Sequence, residues 1–134
     1  MPNTTLAKEL WVTTQNKAGT LAKVCAPIAE AKVNIWALCA WKDADNNTAT
    51  FMMITDNNAK ACGVLAKAGF KTEEKDVVVT TLEDKPGTCW NAAQKLSQVG
   101  VDINYWYYTT CGGECPGRIV FSTKDNNKAV KTLG

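Results

Sequence analysis

Hydrophobic and polar positions along this chain change period several times, and the changes mark elements. Leu10-Trp11-Val12-Thr13-Thr14 is β-branched and aromatic, which predicts a strand. Leu21, Val24, Cys25 and Ile28 recur at i, i+3, i+4 and i+7, one apolar face of a helix, with Pro27 set inside it. Val33 to Trp41 has apolar residues on both parities, the pattern of a strand covered on two faces. A polar turn, Lys42 to Asn47, precedes a third strand from Ala49 to Thr55. Asp56-Asn57-Asn58 predicts a helix cap, Ala61, Val64, Leu65 and Ala68 a second helix, and Gly69 its end. Phe70 to Glu74 predicts a short, charged edge strand. Met1 to Lys8 is a polar lead-in with little pattern.

The same series then begins again. Val77 to Leu82 predicts a strand, and Cys89, Ala92, Ala93, Leu96 and Val99 a helical stripe. Val101 to Thr110, with Tyr105-Trp106-Tyr107-Tyr108, predicts a strand whose aromatics alternate between faces. After the turn Cys111 to Gly117 come a strand from Arg118 to Thr123 and a helix capped by Asp125-Asn126-Asn127. No gap is needed to align the copies: position 16 falls on position 84, 68 residues on, as Val33 falls on Val101 and Leu65 on Leu133. A period kept through loops as well as core is the mark of a duplication. The order β-α-β-β-α-β is a split βαβ, or ferredoxin-like, unit with helices on one face of an antiparallel sheet. The expected fold is α+β, with a first unit at 1–76 and a second at 77–134 that lacks its last strand. The lead-in or a second chain could cover the edge left open.

Each copy carries a glycine loop between its first strand and first helix: Asn16-Lys17-Ala18-Gly19-Thr20-Leu21 and Asp84-Lys85-Pro86-Gly87-Thr88-Cys89. Glycine allows close backbone approach, and a helix starting there points unpaired N–H groups and its positive dipole end into the same space. A small anion such as a carboxylate can be held by that arrangement. Asp84 as a cap and Pro86 in a first turn would also account for the second loop without a ligand. Asn34 and Asp102, ahead of Ile35 and Ile103, suit turns.

These loops, each followed by Val33-Asn34-Ile35 or Val101-Asp102-Ile103, resemble the ACT domain, and the resemblance covers nearly the whole chain as a tandem pair. It implies a regulatory protein that senses an amino acid or related small molecule, with no enzyme activity and no cofactor or metal. It implies second strands paired edge to edge in one eight-stranded sheet, with ligand at the seam. There the carboxylate would meet backbone N–H groups near Ala18, Gly19 and Thr20, or near Gly87 and Thr88, Pro86 having none to give. The ammonium would seek Asn16 and Asn34, or Asp84 and Asp102. Lys17, Leu21, Ile35, Lys85 and Ile103 complete the implied site. The copies differ chemically, two asparagines against two aspartates, so one of them could serve only to hold the other.

Composition narrows the alternatives. A formal charge of +2 gives no argument for nucleic acid or an anionic membrane, and no apolar run reaches spanning length. Without histidine there is no acid–base group of neutral pKa and no Cys–His or Ser–His pair. Six cysteines without a leader sequence predict reduced thiols and a cytoplasmic protein, with Cys111 and Cys115 free in a glycine-rich turn. A hairpin disulfide there under oxidising conditions is the alternative. Trp36, Trp41 and the Tyr105 to Tyr108 run predict a contact surface. Partners would be a second copy, giving a dimer, and a regulated enzyme. The rival function is a structural interaction module with no small ligand.

Overall fold

The computed structural model describes residues 3–134. Its elements are β1 (Asn3–Gln15), α1 (Thr20–Glu30), β2 (Ile35–Lys42), β3 (Thr48–Thr55), α2 (Asn58–Lys67) and β4 (Thr72–Leu82). They continue as α3 (Thr88–Gln98), β5 (Ile103–Thr109), β6 (Gly117–Thr123) and α4 (Asn126–Leu133). The chain forms two units. One is Lys8–Lys75; the other is Asp76–Gly134 with residues 3–7.

In the unit Lys8–Lys75 the strand order is β2-β3-β1-β4, with β1 and β2 antiparallel to β3. Leu10, Val12, Phe51 and Met53 face Val24 and Ile28 of α1 and Ala61 and Leu65 of α2 in one buried core. In the other unit the order is β5-β6-β4-β1, and Val78, Ile119 and Phe121 meet Ala92, Leu96, Ala129 and Leu133. The duplication is kept in the register. Leu10 pairs with Met53 and Val78 with Phe121, and both second strands carry a bulge, at Ile35/Ala37 and at Ile103/Tyr105.

Several expectations change. Six strands occur among the described residues, not eight. The charged strand expected at Phe70 to Glu74 and the strand at Val77 to Leu82 are one strand, β4. Of the lead-in, Met1 and Pro2 lie outside the described residues; the rest is not patternless coil but the start of β1, and it supplies the fourth strand of the second unit. Its half-exposed residues have no apolar face to pattern, which is why alternation is missing there. Thr4 Oγ1 meets Thr80 Oγ1 across that pairing. So the second unit is completed from the other end of the chain. The strand buried on both faces is β3, not β2. Every β3 residue after Thr48 is buried, whereas β2 is the outermost strand of its unit and half exposed.

Candidate functional site

The two glycine loops open their helices in the same way. Gly19 at φ +86° and Gly87 at φ +90° are the N-caps of α1 and α3, in the left-handed region that favours glycine. Neither helix start has a side-chain cap. Asp84 is therefore not the cap that its residue type suggested, and Pro86 lies before the helix and not in its first turn. The threonines close the loops. Thr20 Oγ1 donates to the carbonyls of Lys17 (2.7 Å) and Gln15 (3.1 Å), and Thr88 Oγ1 donates to that of Lys85 (3.0 Å). The Thr20 and Thr88 N–H groups also donate to Lys17 and Lys85, at 3.1 and 3.4 Å. The expected anion donors are thereby narrowed towards Ala18, Gly19 and Gly87.

The first loop borders a hollow of about 250 Å3 whose lining includes Asn16, Lys17, Gly19, Thr20 and Leu21, with Trp41, Lys42 and Phe51 beyond them. Asn16 is held against the β2–β3 turn: its N–H donates to the Asn47 carbonyl (2.9 Å) and its Nδ2 to the Asn46 carbonyl (3.1 Å). The second loop borders a hollow of about 210 Å3 lined by Leu82, Glu83, Lys85, Thr88, Asn91, Ala92, Lys95 and Leu133. There Lys85 pairs with Glu83 at 2.6 Å, which holds the Glu83 carboxyl below its ordinary range. Asp84, Pro86 and Gly87 are exposed beside that hollow but do not line it.

Asn34 and Asp102 lie elsewhere in their own units. α1 has 11 residues and so spans about 16 Å. Asn34 stands past its far end, where its N–H donates to Asp56 Oδ1 and its carbonyl accepts from the Asp56 N–H, both at 3.0 Å. Asp102 accepts from the Lys124 N–H through its carbonyl, and its carboxylate pairs with Lys124 Nζ at 3.1 Å. Ile35 and Ile103, each opening its strand, sit beside them. The first loop meets the far end of β2 at Trp41 and Lys42, but Asn34 and Asp102 line neither loop's hollow.

Sequence reasoning missed two features of this region. Cys111 and Cys115 are not free thiols but are bonded to each other, with Cα atoms 5.9 Å apart. The spacing allowed a bridge, and a hairpin disulfide was the alternative to the expected free thiols. The other is a cluster on β1 and β4. Glu9 is fully buried and accepts from Trp11 Nε1 (2.9 Å), and Lys75 Nζ stands 3.8 Å above the Trp11 ring. A buried glutamate in a strand gives no periodic signal.

A regulatory-domain fold with paired loops of this kind defines the class. The model of the ACT domain pair matches residues 5–133, and this chain belongs to the ACT domain family. A solved protein of Bacteroides thetaiotaomicron is 26% identical, with a TM-score of 0.88 over 97% of this chain and 88% of that one. The regulatory subunit of aspartate kinase from Thermus thermophilus is 14% identical, with a TM-score of 0.66 over 97% and 93%. Aspartate kinase of Clostridium acetobutylicum matches with 15% identity and a TM-score of 0.59, this chain covering 33% of it. No curated protein matches. ACT domains are in general regulatory domains that bind small molecules, amino acids among them. Among the described residues no helix is long and apolar enough to cross a membrane.

Proposed function

We propose that this chain is an amino-acid-binding regulatory protein without catalytic chemistry of its own, whose ligand sits at a seam between ACT units. The observation that carries this reading is the repeated glycine-capped helix start, uncapped by any side chain, with Gly19 lining a hollow in the first copy and Lys85 and Thr88 lining one beside Gly87 in the second. The ligand carboxylate would be taken by the N–H groups at Ala18 and Gly19, or at Gly87, and the ammonium by Asn34 or Asp102 contributed from a facing unit. Because each second strand is outermost in its own unit, a second copy pairing along β2 or β5 would bring loop and second strand of facing units together, the four strands of one unit continuing into the four of the other. An enzyme of amino-acid metabolism would be the regulated partner, and the cytoplasm the place of action. Membership of the ACT domain family, whose domains in general bind small molecules, amino acids among them, supports the ligand class.

The test is a thermal-shift panel of the common amino acids on the whole chain. Ligand at a hundred times its dissociation constant stabilises by about 2.7 kcal/mol, which moves the midpoint by roughly 2–8 °C. The expected result is one responsive amino acid whose effect is lost in Asn34→Ala or in Asp102→Ala, naming the copy that binds. A flat panel on folded protein overturns the reading. It would favour an interaction module, for which Trp36, 57% exposed on the outermost strand β2, is the supporting observation.

A further inference from the structure

The turns that close the two β hairpins are equivalent in the repeat but are built from different chemistry. In the first, Asp43 Oδ2 accepts from Thr48 Oγ1 (2.5 Å), and Asp43 Oδ1 accepts from Thr50 Oγ1 (2.9 Å). The Asp43 N–H donates to the Thr48 carbonyl (2.9 Å), and Asn47 N–H to Asp45 Oδ1 (2.9 Å). Sixty-eight positions on, Asp43, Thr48 and Thr50 are replaced by Cys111, Pro116 and Arg118. The side-chain clasp cannot form: the cysteine offers no carboxylate to accept, and the proline no hydroxyl to donate. The ladder is also shorter. In the first hairpin it reaches Lys42↔Ala49, whereas in the second it stops at Thr109↔Arg118, and the pair Thr110 and Gly117 lies beyond it. What closes the second turn is the Cys111–Cys115 bond, with the Cys111 and Cys115 N–H groups each directed at the other's sulfur, at 3.1 and 3.3 Å.

We propose that Cys111–Cys115 is a reversible thiol–disulfide site whose redox state sets the order of the 110–117 turn. Three observations carry it: the side-chain clasp of the equivalent turn is missing, the bond spans the place where the ladder has ended, and Cys111 is exposed and open to attack. The co-reactant is a dithiol reductant of the thioredoxin or glutathione-coupled class. One of its thiolates attacks Cys111 Sγ, forming a mixed disulfide, and Cys115 leaves as a thiolate that takes up a proton. The reductant's second thiol then displaces Cys111, which is protonated in turn. Two electrons and two protons pass to the protein, and the reductant departs as its own disulfide. The remaining cysteines, Cys25, Cys39, Cys62 and Cys89, are free and only partly exposed; burial pushes the Cys25 and Cys39 thiols up, which keeps them out of the exchange. The register pair Leu82↔Gly117 sets the start of the Glu83–Thr88 loop directly beside this turn.

The experiment equilibrates the whole chain in graded mixtures of reduced and oxidised glutathione, alkylates it, and counts modified cysteines by mass. The expected count passes from four to six within those mixtures, the two new adducts lying on Cys111 and Cys115. Hydrogen exchange of residues 110–117 should rise about tenfold or more in the six-thiol form, as opening so short a ring implies, with the 43–48 turn unchanged. Cys111→Ser should reproduce the fast exchange and ignore the glutathione ratio. A count fixed at four at the reducing end, or at six at the oxidising end, overturns reversibility. Equal exchange in the two forms overturns the structural role.

Discussion

Gly117 is demanded by a neighbour and not by its dihedrals. A Cβ built there would collide with the Tyr108 ring, which lies partly buried against the second core. Gly117→Ala should therefore cost about 1–3 kcal/mol of stability in denaturant unfolding, and Tyr108→Ala in the same chain should remove most of that cost. The glycine was plain in the sequence, but the ring above it was not, because the contact joins neighbouring strands. Asp43 belongs to the same scale. Hydrogen bonds from Thr48 and Thr50 hold its carboxyl below the ordinary aspartate range. A folded-state value that is lowered contributes stability above the unfolded value, and the contribution is lost as pH falls through the folded one. Thr48→Val together with Thr50→Val should raise the Asp43 pKa in an NMR titration; an unchanged value would refute the clasp.

At the scale of elements, the helix entries are where duplicated sequence becomes duplicated bonding. Asn57 and Asp125 cap α2 and α4, accepting from the N–H groups of Lys60 and Lys128. Asn58 and Asn126 go further. Each accepts from the N–H and hydroxyl of the threonine ending the preceding strand, Thr55 or Thr123, and each donates to the carbonyl of Lys8 or Asp76. The cap was legible in Asp-Asn-Asn runs because capping is local. The strand tie was not, since its acceptor lies 50 residues away. Asn58→Ala and Asn126→Ala should each lower stability by about 1–3 kcal/mol, the cost of leaving such partners unpaired. Similar losses at the two positions would confirm equivalent roles, and a loss at one alone would deny it.

At the scale of the whole molecule, the boundaries of the units differ from the boundaries of the repeat as read along the chain. The second unit takes its fourth strand from the beginning of β1, and the first takes its own from the beginning of β4. Removing the residues before Lys8 should therefore raise amide exchange along β4 from Val77 to Leu82 and in β6, while the core of Lys8–Lys75 keeps its protection. The opposite pattern, with the first unit loosened and the second intact, would contradict this division.

Sequence alone determined the duplication, the order of strands and helices, the apolar stripes of the first three helices, the glycine loops and the resemblance they carry. All of these are written in residues a few positions apart, where periodicity, capping and turn chemistry act. Tertiary structure decided which segment pairs with which. β1 and β4 are long strands because each continues past its own apolar run into polar sequence, Asn3 to Lys8 and Thr72 to Asp76, where only hydrogen bonding to a distant strand makes a strand of it. It also placed Asn34 and Asp102 a helix length from their own loops and joined Cys111 to Cys115. Those outcomes depend on distances between residues remote in sequence or on the geometry of a closed turn, and local pattern carries no measure of either.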